Sequence, residues 1–327
     1  MQRIVVIGAS VMDVLMKSSQ FKIVKNSSVH GGVALCEVLG GKIEAEEGLM
    51  TSGGGGSNVS VGLKRLGEAV KMITKVGEDK MGKIFIDEMN SYQIDLSMVQ
   101  SGSKNTGVST VLINGDGQRS IITFRGESLK IDSERIDWEQ IVNADWVQIS
   151  SLGGRMDLLE DTINFCFEKG IKVGLNPGRA EIESGKLWRL LPKVEALIVN
   201  RSEASIICGM VFEKEADIFK KISECGSRVI AITDGKNGAA LIRSGKWVKM
   251  DTFPNKSVDD TGAGDAFVSG FVEGLINYVS DEKMLKMGLA NGSSVVTKMG
   301  AKVGLLSKDE MEKWMKKKLK TVEGWIH

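Results

Sequence analysis

The stretch VDDTGAGDAFVSGF, Val258 to Phe271, decides how the rest of the chain is interpreted. Three small residues, Gly262, Ala263 and Gly264, separate a polar run from an apolar segment with the pattern of a helix. Asp265 stands at the junction. Consecutive backbone amides at a helix N-terminus form a concave site for an anion. The stretch therefore predicts an anion site with one carboxylate beside it.

This pairing of an anion site and a carboxylate suits phosphoryl transfer. The amides can hold the oxygens of a phosphoryl group while negative charge builds up. Asp265 can accept a proton from an attacking hydroxyl, as a general base. The alternative is that Asp265 only caps the helix, and this stretch alone leaves both interpretations open.

The overall composition is ordinary for a globular protein. Of 327 residues, 42% are apolar and 26% are charged, and 43 basic against 42 acidic side chains give a net charge of +1. This balance argues against a general nucleic-acid binder. No signal-peptide pattern opens the chain, and no apolar run reaches about 18 residues. We therefore expect a cytoplasmic protein with no membrane partner.

Histidine and cysteine chemistry is not favoured by the sequence. The two histidines are His30 and His327, and we expect His327 to be a frayed terminus. A histidine-dependent hydrolase would therefore have to be built on His30, which we expect to be a loop residue. The cysteines form no closely spaced pair, which argues against a metal cluster or a disulfide framework. They are Cys36, Cys166, Cys208 and Cys225.

Short β-branched runs alternate with helical patterns along most of the chain. RIVVIGA, ADWVQISSL, EALIVN and RVIAITDG are typical of buried strands, and MDLLEDTINFCFEKG and EADIFKKISECG of helices ending at a glycine. This alternation predicts an α/β fold with a largely parallel sheet and helices on both faces. The first strand is followed by GASVMD and not GxGxxG, which argues against an NAD-binding Rossmann domain.

Two β-rich regions, residues 16–52 and 106–125, interrupt this alternation. Hairpin turns are predicted at Gly40–Gly41 and at Gly115–Gly117. The two regions predict a small antiparallel sheet that projects from the main domain, or else edge hairpins of one sheet. The α/β domain is then assigned to residues 1–15, 53–105 and 126–327.

The C-terminal stretch KDEMEKWMKKKLKTVEGWIH has the pattern of an amphipathic helix. Its lysines are expected to form the solvated face. Its apolar stripe comprises Met311, Trp314, Met315 and Leu319.

A second glycine-rich stretch, SGGGGSNVSVGLKRLG, begins at Ser52. Four glycines, Gly53 to Gly56, allow the backbone to approach a ligand closely, and Ser57 and Asn58 open a helix. A flexible linker is the alternative, but linkers do not usually lead directly into a capped amphipathic helix.

Two shorter motifs follow predicted strands. In VNRSEA, Asn200 and Glu203 offer an amide and a carboxylate that suit a hydrated Mg²⁺, but the same spacing forms a helix capping box. In TDGKNGAAL, Thr233, Gly235 and Gly238 indicate either a turn with room for a flat ring or a phosphate, or a simple β-hairpin.

Together these motifs resemble the ribokinase-like, or PfkB, carbohydrate kinase family. DDTGAGDAFVSGF is similar to the family's C-terminal DTxGAGD motif, and GGGGSNVSVGLKRLG to its N-terminal glycine-rich motif. GASVMD, VGEDKMG, TGVS, LNPG, VNRSE and TDGKNGA match more weakly, in the family's order, and extend the resemblance over nearly the whole chain. It implies a three-layer α/β/α sandwich whose β-rich regions form a lid over the acceptor, and transfer of the ATP γ-phosphoryl group to an alcohol.

The resemblance also implies roles for individual residues. The catalytic base would be Asp265, with the anion hole supplied by Gly262, Ala263 and Gly264. Acceptor hydroxyls would be bound by Asp13, Gly54 and Asn58. The ATP site would be lined by Asn200, Thr233, Gly235 and Gly238. Cations would be organised by Glu203 for Mg²⁺, through water, and by Asp259 and Thr261 for K⁺.

Two departures from the family pattern bear on these roles. Asp260 stands where threonine is common before Thr261, so a K⁺ requirement stays open. Gly55 stands where ribokinase-type and sugar-phosphate-type members often carry lysine, which argues against an acceptor that already bears a phosphate. Arg119 and Arg125 are candidates to restore anion binding, or else are surface residues.

We therefore expect an ATP-dependent kinase of a ribose-, fructose- or 2-keto-3-deoxygluconate-like sugar, with a homodimer through the lid. One alternative is a nucleoside or sugar-phosphate kinase of the same family, and Phe124 is the clearest lid aromatic for a nucleoside base. Another is a non-catalytic sugar-binding protein, against which the intact Asp265 argues.

Overall fold

The structure is a computed structural model that describes residues 1–25, 33–36 and 39–326. His30 and His327 lie outside these residues. Within them the largest sheet has nine strands, numbered with all others along the chain. They are β1 (Arg3–Ile7), β6 (Ala69–Ile73), β11 (Trp146–Ile149), β12 (Lys172–Leu175), β13 (Ala196–Asn200), β14 (Val229–Thr233), β15 (Ala239–Arg243), β16 (Lys246–Met250) and β17 (Thr321–Trp325).

The strand order across this sheet is β17-β16-β15-β14-β13-β12-β11-β1-β6. The six strands from β14 to β6 are parallel, whereas β14 to β17 pair antiparallel. The largely parallel sheet expected from the alternation of strands and helices is confirmed.

Helices cover both faces of this sheet, and successive residues of β1 show why. Ile4 and Val6 belong to one buried cluster, and Val5 and Ile7 to another, because side chains alternate between the faces of a strand. Residues of α1, α2, α8, α9 and α10 pack in the first cluster, and residues of α3 to α7 in the second, which gives three layers. The helices are α1 (Gly55–Arg65), α2 (Lys80–Ser91), α3 (Trp138–Val142), α4 (Met156–Glu168), α5 (Arg179–Glu183), α6 (Arg201–Cys208), α7 (Glu215–Ser223), α8 (Ala263–Ile276), α9 (Asp281–Val295) and α10 (Lys308–Met315).

A separate four-stranded sheet, called here the small sheet, has the order β10-β9-β2-β5. Residues from both β-rich regions contribute to it, and it also includes residues 11–15, which the sequence analysis assigned to the α/β domain. Its strands are β2 (Val11–Ser18), β5 (Glu47–Gly53), β9 (Gly107–Asn114) and β10 (Arg119–Phe124); two further short pairs are β3 (Lys22–Lys25) with β4 (Val33–Cys36) and β7 (Lys75–Gly77) with β8 (Gln100–Gly102).

One of the two predicted hairpin turns is confirmed and the other is wrong. Residues Gly115–Gly117 join β9 to β10, which pair antiparallel. Gly40 lies in a turn between β4 and β5, but those strands belong to different sheets, because β4 pairs with β3 and β5 with β2. The Gly40–Gly41 turn therefore connects two sheets and closes no hairpin.

The predicted C-terminal helix is too long. Helix α10 ends at Met315, so Leu319 lies beyond it, and the chain then forms the edge strand β17 of the main sheet. All four residues of the predicted stripe still contact the same core cluster. Pairing with β16 supplies the hydrogen bonds that a longer helix would have made. Within the described residues, no helix is both long and apolar enough to cross a membrane.

Glycines bring the two glycine-rich motifs together at one end of the sheet. A Cβ on Gly56 would lie 2.7 Å from the carbonyl oxygen of Gly8, just beyond β1, so α1 begins in close contact with that strand. A Cβ on Gly62 would overlap Ser269 of α8. Because α1 and α8 pack this closely, the residues at their N-termini become neighbours.

The other end of α8 carries a buried carboxyl group, Glu273, beside Glu68. Burial, followed by the Glu68 carboxylate, raises the pKa of Glu273 to about 8. A folded-state pKa above the unfolded value means that the native protein holds a proton that the unfolded chain releases. That contribution to stability is complete below about pH 4 and is lost as the pH rises through 8.

We expect Glu273→Gln, which is neutral at every pH and can donate to Glu68, to remove part of this pH dependence. Between pH 6 and 8 the free energy of unfolding should fall less steeply than in the native chain, by up to about 1.4 kcal/mol per pH unit. Urea unfolding at pH 6, 7 and 8 measures this slope. The exposed Glu168→Gln is the control and should leave the slope unchanged. A slope for Glu273→Gln equal to that of the native chain would contradict a proton held by Glu273 in the native state.

Candidate active site

The turn before α8 is built as an anion site. Gly262 adopts φ 78°, in the left-handed region, and caps the N-terminus of α8. A Cβ there would overlap Ala301 as well, so only glycine fits without strain. The Ala263 N–H donates to the Asp260 carbonyl at 3.3 Å. Among the described residues no acceptor is seen for the N–H groups of Gly262, Gly264 and Asp265. The open amides therefore include Asp265 and exclude Ala263, in contrast to the expected set.

Asp265 does not cap its helix in the usual way, because its side chain turns to the other glycine-rich motif. Asn58 Nδ2 donates to Asp265 Oδ2 at 2.8 Å, across 207 residues of sequence. Burial raises the pKa of Asp265, and the bond from Asn58 and the charge of Lys302 act in the opposite direction. A half-buried carboxylate beside open amides has the geometry of a general base at an anion site.

Asp13 lies next to the same motif, at a point where only glycine fits. A Cβ on Gly53 would overlap the Asp13 carboxylate, and Gly54, at φ 88°, closely approaches the backbone of Ala9. Asp13 is 6% exposed. Burial raises its pKa to about 6, against the opposing charge of Lys302. The glycine run thus makes room for a carboxylate and is no linker.

A row of polar side chains crosses the small sheet at Asp13. The register pairs Asp13 with Thr51 and Ser109, and Ser109 with Thr123. The Ser109 and Thr123 hydroxyls lie 3.2 Å apart. Phe124 follows Thr123 directly, so its side chain lies on the opposite face of the sheet, where it is 58% exposed. The face that carries Asp13 is therefore polar at this level.

The motifs expected to bind a nucleotide lie at the carboxyl ends of β13 and β14. Asn200 and Thr233 are paired in register there. Asn200 and Glu203 form the capping box, with Asn200 Oδ1 accepting from the Glu203 N–H at 2.9 Å and Glu203 Oε2 from the Asn200 N–H at 2.8 Å. Burial raises the pKa of Glu203. Gly235 and Gly238, both at positive φ, lie in the turn of the β14–β15 hairpin, so the hairpin interpretation is confirmed.

The residues around Asp265 and Asp13 and the residues around Asn200 and Thr233 lie at the same edge of the sheet. Gly8 and Ser150 follow β1 and β11, and both lie against the glycines at the start of α1. Asn200 ends β13, which is two strands from β11. At about 4.8 Å per strand, roughly 10 Å separates β11 from β13. A crevice at the carboxyl ends of parallel strands is where α/β sheets bind ligands.

Asp259 is a buried carboxylate with no ion-pair partner among the described residues. It is 1% exposed. Its Oδ1 accepts from the N–H and the hydroxyl of Thr261, at 2.9 and 2.6 Å, and its Oδ2 from the Gly300 N–H at 2.9 Å. A buried carboxylate that forms no ion pair with the described residues fits a monovalent cation.

Comparison with known proteins agrees with this geometry. Residues 1–308 match the pfkB family of carbohydrate kinases. The chain belongs to this family. It is 28% identical to the ribokinase of Haemophilus influenzae over 264 aligned residues. The alignment covers 79% of this chain and 85% of that protein.

Solved structures show the same fold. The Arabidopsis thaliana ribokinase complexed with ribose and ATP has a TM-score of 0.78 at 23% identity, covering 97% of this chain and 99% of that one. The Burkholderia thailandensis nucleoside kinase in complex with inosine has a TM-score of 0.73 at 15% identity, covering 95% and 97%. This pfkB kinase therefore has the ribokinase-like fold. Its membership of the pfkB family makes it a phosphotransferase with an alcohol acceptor.

The departure at Asp260 has a visible consequence in this pfkB kinase. Its Oδ2 lies 3.7 Å from Arg119 Nη1, and its Oδ1 accepts from the Ser257 hydroxyl at 2.6 Å. The hairpin of the small sheet thereby contacts the loop before the anion turn, around a cavity of about 450 Å³. Arg119 is paired with a carboxylate, whereas Arg125 is exposed and forms no ion pair with the described residues.

Sequence reasoning missed three residues of this pfkB kinase's site. The Lys302 ammonium lies 3.5 Å from Asn58 Oδ1 and 3.6 Å from Glu88 Oε1. The Ser150 hydroxyl is buried with no hydrogen-bond partner among the described residues. A Cβ on Gly55 would lie 2.9 Å from Ser150 Cβ and 3.4 Å from Asp265 Oδ1. Any side chain at position 55 would therefore crowd Ser150 and approach the Asp265 carboxylate. No motif marks any of the three; a lysine in the apolar stretch around Lys302 is the nearest to a signal.

Proposed function

We propose that this pfkB kinase transfers the γ-phosphoryl group of ATP to a hydroxyl of a small, unphosphorylated carbohydrate. The observation that carries the proposal is the 2.8 Å hydrogen bond between Asn58 and Asp265. It joins the glycine-rich stretch beside the acceptor carboxylate Asp13 to the base beside the anion turn. Acceptor and transferring group then meet at Asp265.

In this proposal Asp13, Asn58 and Gly54 bind the acceptor hydroxyls, and Asp265 takes the proton from the one that reacts. The freed oxygen attacks the γ-phosphorus, and the bond from that phosphorus to the departing ADP oxygen breaks. The open amides of Gly262, Gly264 and Asp265 hold the oxygens of the group in transfer. The small sheet, as a lid, keeps water from the reacting groups.

A sugar acceptor is favoured over a nucleoside or a sugar phosphate. The row of Asp13, Ser109 and Thr123 offers hydroxyl and carboxylate groups to a polyhydroxy compound. Phe124, the aromatic considered for a nucleoside base, belongs to the opposite face. Arg119 is paired with Asp260, so an acceptor phosphate would have to compete for it.

Mg²⁺ and K⁺ complete the proposed site. Mg²⁺, when bound with ATP, would neutralise charge on the phosphates. Asn200 and Glu203 fit it through water, because their capping bonds leave one carboxylate oxygen of Glu203 without a partner in the described chain. Asp259 and Thr261 fit K⁺, and Asn200, Thr233, Gly235 and Gly238 are proposed to line the ATP site.

The exposed face of the lid supports a homodimer as the oligomeric state. Ile122, Phe124 and Met50 are 65%, 58% and 49% exposed on that face. An apolar patch of this kind is typical of a protein contact. Light scattering of the purified protein would give its mass, and a monomer at assay concentration would contradict the dimer.

ADP release from ATP and Mg²⁺ across an acceptor panel tests the proposed function. The panel contains ribose, fructose, glucose, 2-keto-3-deoxygluconate, adenosine, other nucleosides and sugar phosphates, each with and without K⁺. We expect one free sugar to give a much higher rate of ADP release than the other acceptors. If a nucleoside or a sugar phosphate gave the highest rate instead, the proposed acceptor class would be wrong. If folded, ATP-binding protein released no ADP with any acceptor, a non-catalytic role would be favoured.

For the magnesium site, we expect Asn200→Ala with Glu203→Ala to raise the Mg²⁺ concentration for half-maximal activity by roughly tenfold. The loss of the capping box also costs about 1 kcal/mol of stability. The matched control is the capping box of α10, removed by Ser307→Ala with Glu310→Ala, which should cost similar stability and leave the Mg²⁺ titration unchanged. An unchanged titration in the first variant would remove the pair from the metal site.

A further inference from the structure

Lys302 is a buried lysine beside the glycine-rich stretch that contains Ser52 and Asn58. It is 3% exposed and lies in the loop after α9. Its ammonium donates to the Ser52 carbonyl and lies 3.5 Å from Asn58 Oδ1 and 3.6 Å from Glu88 Oε1. An ammonium has three N–H donors, and three acceptors surround this one. The contacts of the Lys302 ammonium among the described residues are therefore with neighbouring protein groups, on which it can act.

The first of these neighbours is the amide of Asn58, which links Lys302 to the base. Its oxygen faces Lys302 and its Nδ2 donates to Asp265. If the amide were reversed, its oxygen would face the Asp265 carboxylate and its NH₂ group would face the ammonium. Both contacts would then be unfavourable, so the charge of Lys302 fixes the orientation that Asp265 requires.

Charge is the second way in which Lys302 acts. Carboxylates face it from three elements: Glu88 from α2, Asp13 from β2 and Asp265 from α8. Burial raises the pKa of both Asp13 and Asp265, and Lys302 counteracts the rise in each. For Asp13 the charges of Asp265 and Asp259 add to the rise. Burial lowers the pKa of Lys302 itself, and the three carboxylates oppose that change.

We propose that Lys302 is a positioning residue: it orients Asn58 toward Asp265 and supplies the positive charge that faces the carboxylates of Asp13 and Asp265. This inference rests on the proposed function, in which those carboxylates bind the acceptor and take its proton. Glu88 serves as the anchor of Lys302: it also accepts from the Thr51 hydroxyl at 2.8 Å and the Ser52 N–H at 2.7 Å, which fixes it in place.

The test compares Lys302→Met with the native enzyme on its best acceptor. The acid limb of the kcat/KM profile for the acceptor should move up by about one pH unit, because the base stays protonated to higher pH. At a pH on that limb kcat/KM should fall about tenfold, which is the one-unit shift expressed as a rate, while the KM for ATP stays within about twofold. Glu88→Gln, which keeps the lysine and removes a neighbouring negative charge, is the control and should not move the acid limb up.

A second readout separates this inference from the proposed function. Carboxyl ¹³C NMR titration of aspartate-labelled protein, with signals assigned by Asp13→Asn and Asp265→Asn, follows both carboxyl groups whatever the enzyme does. Raised carboxyl titration in Lys302→Met, together with an active Asp265→Asn, would uphold Lys302 and overturn Asp265 as base.

Unmoved carboxyl titrations and an unmoved acid limb would overturn the inference and leave the kinase intact. A purely structural lysine would lower thermal stability and every kinetic constant together, without moving either pH dependence. If Lys302→Met does not fold, Lys302→Gln, which can still donate to the Ser52 carbonyl, takes the same measurements, and the same results decide. Lys302→Arg, which keeps the charge, should restore the native acid limb.

Discussion

Asp265→Asn is expected to lower turnover by about 10²–10⁴ while leaving the fold and ATP binding nearly unchanged. Asparagine has the same shape, but its amide cannot accept the proton of the acceptor hydroxyl at neutral pH. The hydrogen bond from Asn58 can be kept by the remaining oxygen, so the two glycine-rich motifs stay joined. Single-turnover kinetics on the best acceptor, with calorimetric ATP binding, measure the two parts separately.

Asp260→Asn is the matched control for this variant. It removes an acid from the same motif, but that acid pairs with Arg119 and has no proposed part in proton transfer. We expect its turnover to stay within about threefold of the native value. A near-native kcat for Asp265→Asn would show that another group takes the proton, and an equal loss in both variants would point to the charge of the loop.

Local signals predicted much of this fold. The alternation of β-branched runs and amphipathic segments gave the parallel core of the sheet, and Gly115–Gly117 gave the β9–β10 hairpin, because both depend on neighbours in sequence. The edge strand β17 was missed because its pairing with β16 is non-local. The lysine-rich part of this stretch has high helix propensity, whereas Thr321, Val322 and Gly324 favour a helix less, and pairing with β16 then fixes the strand.

The site was predictable where motifs carry it and not where packing does. Asp265 and Asn58 each stand in a glycine-rich stretch, but the bond between them spans 207 residues. Lys302 and Ser52 are 250 residues apart, and no spacing connects them. The expected amide of Ala263 was also wrong in detail, because whether an N–H is open depends on the Asp260 carbonyl beside it.

Two glycines of the anion turn provide the sharpest test of that site. Apart from the backbone of its own helix and its two chain neighbours, a Cβ on Gly264 would meet no atom of the described residues within 4 Å, and the residue lies in the first turn of α8. Alanine there should raise the free energy of unfolding by about 0.5–1 kcal/mol, as expected for glycine to alanine in a helix. We nevertheless expect Gly264→Ala to lower kcat about 10²-fold, because the methyl group would crowd a phosphoryl group held by the Gly264 N–H.

Gly262→Ala is the partner variant, and it should fail differently. Its left-handed φ costs about 1–2 kcal/mol for alanine, and Ala301 must also move. Stability and kcat should therefore fall together. Urea unfolding and single-turnover rates on both variants separate the effects. We expect Gly264→Ala to be more stable and yet slow, because the new methyl group meets the ligand and not the described parts of the protein beyond its own helix. A Gly264→Ala enzyme with native kcat would mean that no phosphoryl group approaches this backbone, and the anion hole would have to lie elsewhere.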